Sequence, residues 1–114
     1  MREIDIGQLA ATIESGGAVI DVREPDEYAE GHVPSAVNIP IGRLPDRADE
    51  IDRATPVHVV CASGNRSSAA VDVLVAAGFD AVNVRGGTTG WVRSGRAVVP
   101  GAGAASGATG AGNA

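Results

Sequence analysis

Three short apolar runs constrain this chain most: "AVIDV" at 18–22, "PVHVVC" at 56–61 and "AVNV" at 81–84. Each is rich in β-branched residues and almost uninterrupted. A strand with one wet face alternates apolar and polar residues, so continuous runs belong to strands covered on both faces. The segments between them carry helical spacing. In "DIGQLAATIESGG", Asp5 and Gln8 form a variant of the capping box, Ile6, Leu9, Ala10 and Ile13 share one face, and Gly16 and Gly17 end the run. In "EPDEYAEGH", Pro25 near the start and Gly31 near the end predict one or two helical turns. "AVNIP" at 36–40 reads as a fourth short strand, and "RLPDRADEID" at 43–52 as a surface helix or turn. Ser67, Ala70, Val73, Leu74 and Ala77 repeat at helical spacing until Gly78. "GG" at 86–87 is a turn before a short helix carrying Trp91, and "AVVP" at 97–100 closes the ordered part. The alternation predicts an α/β domain over residues 1–100, with a mainly parallel sheet and helices on both faces. Residues 101–114, "GAGAASGATGAGNA", offer nothing that could anchor a core and predict a flexible tail.

Composition removes several functions. With 114 residues the chain makes one domain, and with 3% aromatics its core must be Val, Ile, Leu and Ala. A net charge of −5 argues against nucleic acid or an anionic membrane as partner. All nine basic residues are Arg, which excludes lysine chemistry. No run approaches the ~20 apolar residues of a membrane span, and the acidic N-terminus is not a signal peptide. The single cysteine cannot form an internal disulfide and fits a reducing cytosol, so a soluble cytoplasmic protein is expected. One Cys and two His far apart in sequence predict no metal site, and no cofactor is expected.

That cysteine, Cys61, ends the second apolar run, where a parallel sheet places its ligands. A lone Cys at a strand end is commonly a small core residue. Its surroundings point elsewhere. Ala62, Ser63, Gly64 and Asn65 are small enough for their amides to converge on one point, a helix N-terminus follows, and Arg66 adds a full charge. Such a cradle lowers the thiol pKa and holds an anionic adduct. Ser67 either caps the helix or faces the ligand. His58 stands three residues before Cys61 on the same strand, hence on the opposite face. Spacing leaves His32 open as a base, although the loop supplies activation without one. Two chemistries remain: attack on a sulfur donor to form a persulfide, and attack on a phosphate or arsenate.

"DVREPDEYAEGHVPSAVNIP" at 21–40, then "VVCASGNRSSAA", "RGGTTGW" and Gly95, resemble a single-domain rhodanese, a sulfurtransferase module, from about residue 3 to residue 99. The resemblance implies a mostly parallel five-stranded sheet. It implies Cys61 as the persulfide-carrying nucleophile, with Ala62, Ser63, Gly64, Asn65, Arg66 and Ser67 around the substrate. Partners would be a small sulfur donor of the thiosulfate or 3-mercaptopyruvate type and a thiophilic acceptor: cyanide in assays, a cellular thiol or protein otherwise. Cys61 to Arg66 is the six-residue loop of sulfurtransferases; related phosphatases have one residue more. Asp21 and Arg23 match the family's "DVR" and are read as a structural ion pair. His32 and Trp91 are read as packing residues. Ser35 stands where the family's "GHIPGA" has Gly, and a positive φ there would strain it. Ala62 replaces a common basic residue; "CASG" is closer to the "CGSG" of members that prefer 3-mercaptopyruvate. The alternatives are a persulfide carrier serving a trafficking pathway, and a Cys-dependent phosphatase or arsenate reductase.

Overall fold

The computed structural model describes residues 1–102; the predicted tail lies outside the described residues from 103 onward. Five strands form one sheet: β1 (Glu3–Ile4), β2 (Ala18–Asp21), β3 (Val37–Asn38), β4 (Val57–Val60) and β5 (Ala81–Val84). Their order is β1-β5-β4-β2-β3, and every pairing is parallel. The three continuous runs became the three central strands, buried on both faces, as their lack of alternation requires. β1 has only two residues and carries no periodic signal. Pairing with β5 defines it, helped by an Arg2–Asp80 ion pair at 2.6 Å.

One row crosses the whole sheet: Glu3, Asn83, Val59, Ile20 and Val37 are successive partners. Residues of one row share a face. On that face Ile20, Val59 and Cys61 pack with Leu44 of α3 (Leu44–Arg47) and with Ala70, Val71 and Leu74 of α4 (Asn65–Ala76). The opposite face holds Val19, Val60 and Val84 under Leu9 of α1 (Ile6–Glu14), Tyr28 of α2 (Pro25–Glu30) and Trp91 of α5 (Gly87–Arg93). The segment read as a surface helix or turn is the short α3 flanked by 3₁₀ turns at Ile41–Arg43 and Ala48–Glu50.

Local chemistry sets the helix ends. Asp5 and Gln8 close the expected capping box on α1, each bond at 2.8 Å. On α4 the apolar stripe runs Ala70, Val71, Leu74; Val73 is 52% exposed. The helix also begins three residues earlier than a Ser67 cap would allow. Gly64 takes φ +105 at its N-cap, so Ser67 lies inside the first turn and is not a cap. Ser35 has φ +70, the strained position the sequence indicated, and is alone among described non-glycine residues in that region. Among the described residues no helix is long and apolar enough to cross a membrane.

Candidate active site

β4 delivers Cys61 to the C-terminal edge of the sheet, and the chain from Ala62 to Gly64 turns it into α4. Cys61 is 1% exposed, and its Sγ accepts a hydrogen bond from the Gly64 amide at 3.0 Å. Burial pushes the thiol pKa up. Hydrogen bonds from the Ser67 hydroxyl and from the Ser67, Gly64 and Ser63 amides outweigh it, so the thiol ionises below its ordinary value. The cradle therefore consists of amides and one hydroxyl.

Ser67 has one proton and two acceptors. Its Oγ–H donates to Asn83 Oδ1 at 2.6 Å, and the same hydroxyl is near enough to Cys61 to favour its anion. Asn83 presents Oδ1 to Ser67 because its Nδ2 donates to Glu3 Oε2 at 2.8 Å. The sheet row explains this chain of contacts, since it puts Glu3 and Asn83 side by side under α4. Sequence reasoning passed over Asn83. The available signal was a polar residue in the middle of "AVNV".

Gly87, read from the sequence only as part of a turn, also packs against the cysteine loop. With φ +57, it brings the first turn of α5 against the loop, where Thr88 N–H donates to Cys61 O at 2.8 Å and Thr89 N–H to Ala62 O at 2.9 Å. Any side chain at Gly87 would run into those two carbonyls. The loop that holds the thiol is thus braced from the α5 side.

Arg66 departs from its expected role as a free cation. Nη1 and Nη2 donate to Glu27 Oε1 and Oε2 at 2.7 and 2.9 Å, a bidentate pair joining α4 to α2. The Arg66 guanidinium holds the Glu27 carboxyl down at about 2. Asp21 and Arg23 form the structural ion pair read from "DVR": Arg23 Nη2 donates to Asp21 Oδ2 and to Gly31 O, both at 2.8 Å. His32 is a packing residue. Its ring stacks on Tyr28 with centroids 3.7 Å apart, and Nδ1 donates to Tyr28 O at 2.8 Å. His58 donates from Nδ1 to Ala18 O, on the face away from Cys61. Trp91 is buried, its Nε1 donating to Ala97 O at 2.8 Å.

A hollow of about 320 Å³ beside Ala62 is lined by Arg23, Thr88, Thr89, Val92 and Arg93. A cavity of about 430 Å³ near Gly17, Ala18 and Val57 opens at the opposite ends of the strands, remote from the thiol.

A parallel sheet whose central strand ends in a cysteine loop defines a class of α/β domain, and known proteins share it. Residues 5–94 match the Rhodanese-like domain family. The chain belongs to that family. It is 35% identical over 102 residues to a sulfurtransferase of Allochromatium vinosum, covering 87% of this chain and 95% of that one. It is 38% identical over 74 residues to the "Putative sulfur carrier protein YrkF" of Bacillus subtilis, covering 64% of this chain and 40% of that one. The crystal structure of a rhodanese-related protein from Thermoplasma volcanium superposes with a TM-score of 0.81 at 38% identity, covering 87% of this chain and 98% of that one.

Proposed function

We propose that the protein is a sulfurtransferase that carries sulfane sulfur on Cys61. One observation supports this above the others: the Gly64 amide donates to Cys61 Sγ at 3.0 Å, at a loop whose donors lower the thiol pKa. The thiolate attacks the outer sulfur of a donor such as thiosulfate, the S–S bond breaks, and sulfite leaves with its electron pair. Cys61–S–S⁻ remains, its negative charge stabilised by the same donors. A thiophilic acceptor, cyanide in an assay or a cellular thiol or protein, then takes the outer sulfur and returns the thiolate. Ala62, Ser63, Gly64, Asn65, Arg66 and Ser67 form the substrate-binding loop. Its six-residue length favours sulfur over the wider phosphate ring of related phosphatases. The donor is of the thiosulfate or 3-mercaptopyruvate type, with the uncharged Ala62 favouring the latter, and a cytoplasmic location suits a lone thiol that must stay reduced.

The test is intact-protein mass spectrometry after incubation with each donor. Gain of the mass of one sulfur, lost on adding cyanide and absent in Cys61→Ser, is the expected result. No gain from any donor overturns the enzyme reading. The similarity to a sulfur carrier favours a second role, in which another protein loads Cys61. Loading by a cysteine desulfurase, with slow small-molecule turnover, marks that role.

A further inference from the structure

Glu27 and Arg66 are 39 residues apart in sequence, yet they make the shortest charged contact beside the cysteine loop. Arg66 is about 40% and Glu27 about 36% exposed, within reach of solvent and of an incoming donor. Glu27 lines a hollow of about 260 Å³ together with Glu30 and Gly31. That hollow shares Arg23, Thr88 and Val92 with the one that reaches Ala62 beside the thiol. Three arginines stand along this approach, Arg23, Arg66 and Arg93, and three carboxylates offset them, Asp21, Glu27 and Glu30. The fork of Arg66, which would otherwise receive an oxyanion, is filled on both nitrogens by Glu27.

We propose that Glu27 is a specificity-determining residue: it holds the Arg66 fork against doubly charged donors and leaves the site to donors carrying one negative charge. The proposal rests on the sulfurtransferase reading. The two donors differ in this respect. Thiosulfate brings two charges and leaves as sulfite with two. 3-Mercaptopyruvate brings one: the thiolate attacks its sulfur, the C–S bond breaks, and the electron pair leaves on the pyruvate enolate, which takes up the thiol proton. Neither step needs an added oxidant or reductant.

The decisive variant is Glu27→Gln, which removes the charge. It keeps an oxygen for Arg66 and for the Glu24 amide that Glu27 Oε1 caps at 3.1 Å. The ratio of kcat/KM for thiosulfate to that for 3-mercaptopyruvate is expected to rise about three- to tenfold, and Glu27→Asp to return it toward the original value. A structural role alone would slow both donors together and leave the ratio still. A second readout needs no sulfur transfer: the rate of Cys61 alkylation by bromosuccinate, which carries two negative charges, relative to iodoacetamide, which is neutral. That ratio is expected to rise in Glu27→Gln as well. Failure of both donors to load the original protein, with the alkylation ratio rising, counts against the enzyme reading and not against Glu27. An alkylation ratio within about twofold of the original, or a donor ratio that does not move, overturns the assignment.

Discussion

Alanine at Gly87 would put a Cβ 2.7 Å from the Ala62 carbonyl oxygen and closer still to that of Cys61. Both obstacles are backbone, so no side-chain rotation relieves them. The residue also has φ +57, where an L side chain costs about 1–2 kcal/mol. Relief requires the start of α5 to withdraw, which weakens the Thr88 and Thr89 amide bonds to the loop, at 2.8 and 2.9 Å. Each such bond contributes about 0.5–1.5 kcal/mol. Together these give a destabilisation of about 2–5 kcal/mol, a large part of the ~5–15 kcal/mol typical of a domain. Gly16 supplies the control: φ is +83 and nothing lies within 4 Å of its added Cβ, so Gly16→Ala carries the conformational cost alone. Urea unfolding of both variants measures the difference, and alkylation of Cys61 in Gly87→Ala reports whether the cradle loosens. Gly87→Ala no less stable than Gly16→Ala, within about 0.5 kcal/mol, would refute the bracing argument.

Four further outcomes are expected. Cys61→Ser abolishes sulfur transfer, because its oxygen is a weak nucleophile and forms no persulfide, while Arg66→Ala slows transfer by less than about tenfold, because its fork is already filled by Glu27 and the amides remain in place; donor-dependent sulfur release with a circular-dichroism control checks both. The rate of Cys61 alkylation against pH has its midpoint below the ~8.5 of an ordinary thiol; a midpoint at or above it contradicts the hydrogen-bonded cradle. Glu27 has its folded pKa lowered to about 2, so its contribution to stability is complete above the unfolded value and is lost as pH falls towards 2. The original protein therefore loses more stability than Glu27→Gln between pH 6 and pH 3, and the difference stays below about 1 kcal/mol because the pair is exposed. Removal of 103–114 leaves the unfolding midpoint and activity in place. The cut follows Ala102 because the Gly101 amide donates to Ala29 O at 2.8 Å.

What the sequence disclosed follows from the range of each interaction. Central strands were legible because burial on both faces leaves a continuous apolar run, and α1 because Asp5 and Gln8 are three residues apart. β1 was not, since two residues hold no period and their pairing lies about 80 positions away, Glu3 with Asn83. Of the two readings of Ser67, cap or ligand-facing, the cap fails for a local reason: Gly64, free to take φ +105, starts the helix early and turns the serine inward. Of the loop, the small residues and the thiol could be read directly, since a cradle of amides needs no partner from elsewhere.

Arg66 shows where such reading stops. Its position fixes its charge but not that charge's destination, and the carboxylate that meets it belongs to a different helix. An arginine on the first turn after a reactive cysteine supports anion binding only while its fork is open. Glu27 fills the fork, so stabilisation of the thiolate rests on Ser67 and the loop amides. These two layers act on different quantities. Donors touching Sγ stabilise the anion whatever delivers the sulfur, whereas the Glu27–Arg66 pair acts on the charge of the molecule that delivers it. Substitutions at Ser67 will therefore move the alkylation midpoint for any reagent, and substitutions at Glu27 will separate charged reagents from neutral ones.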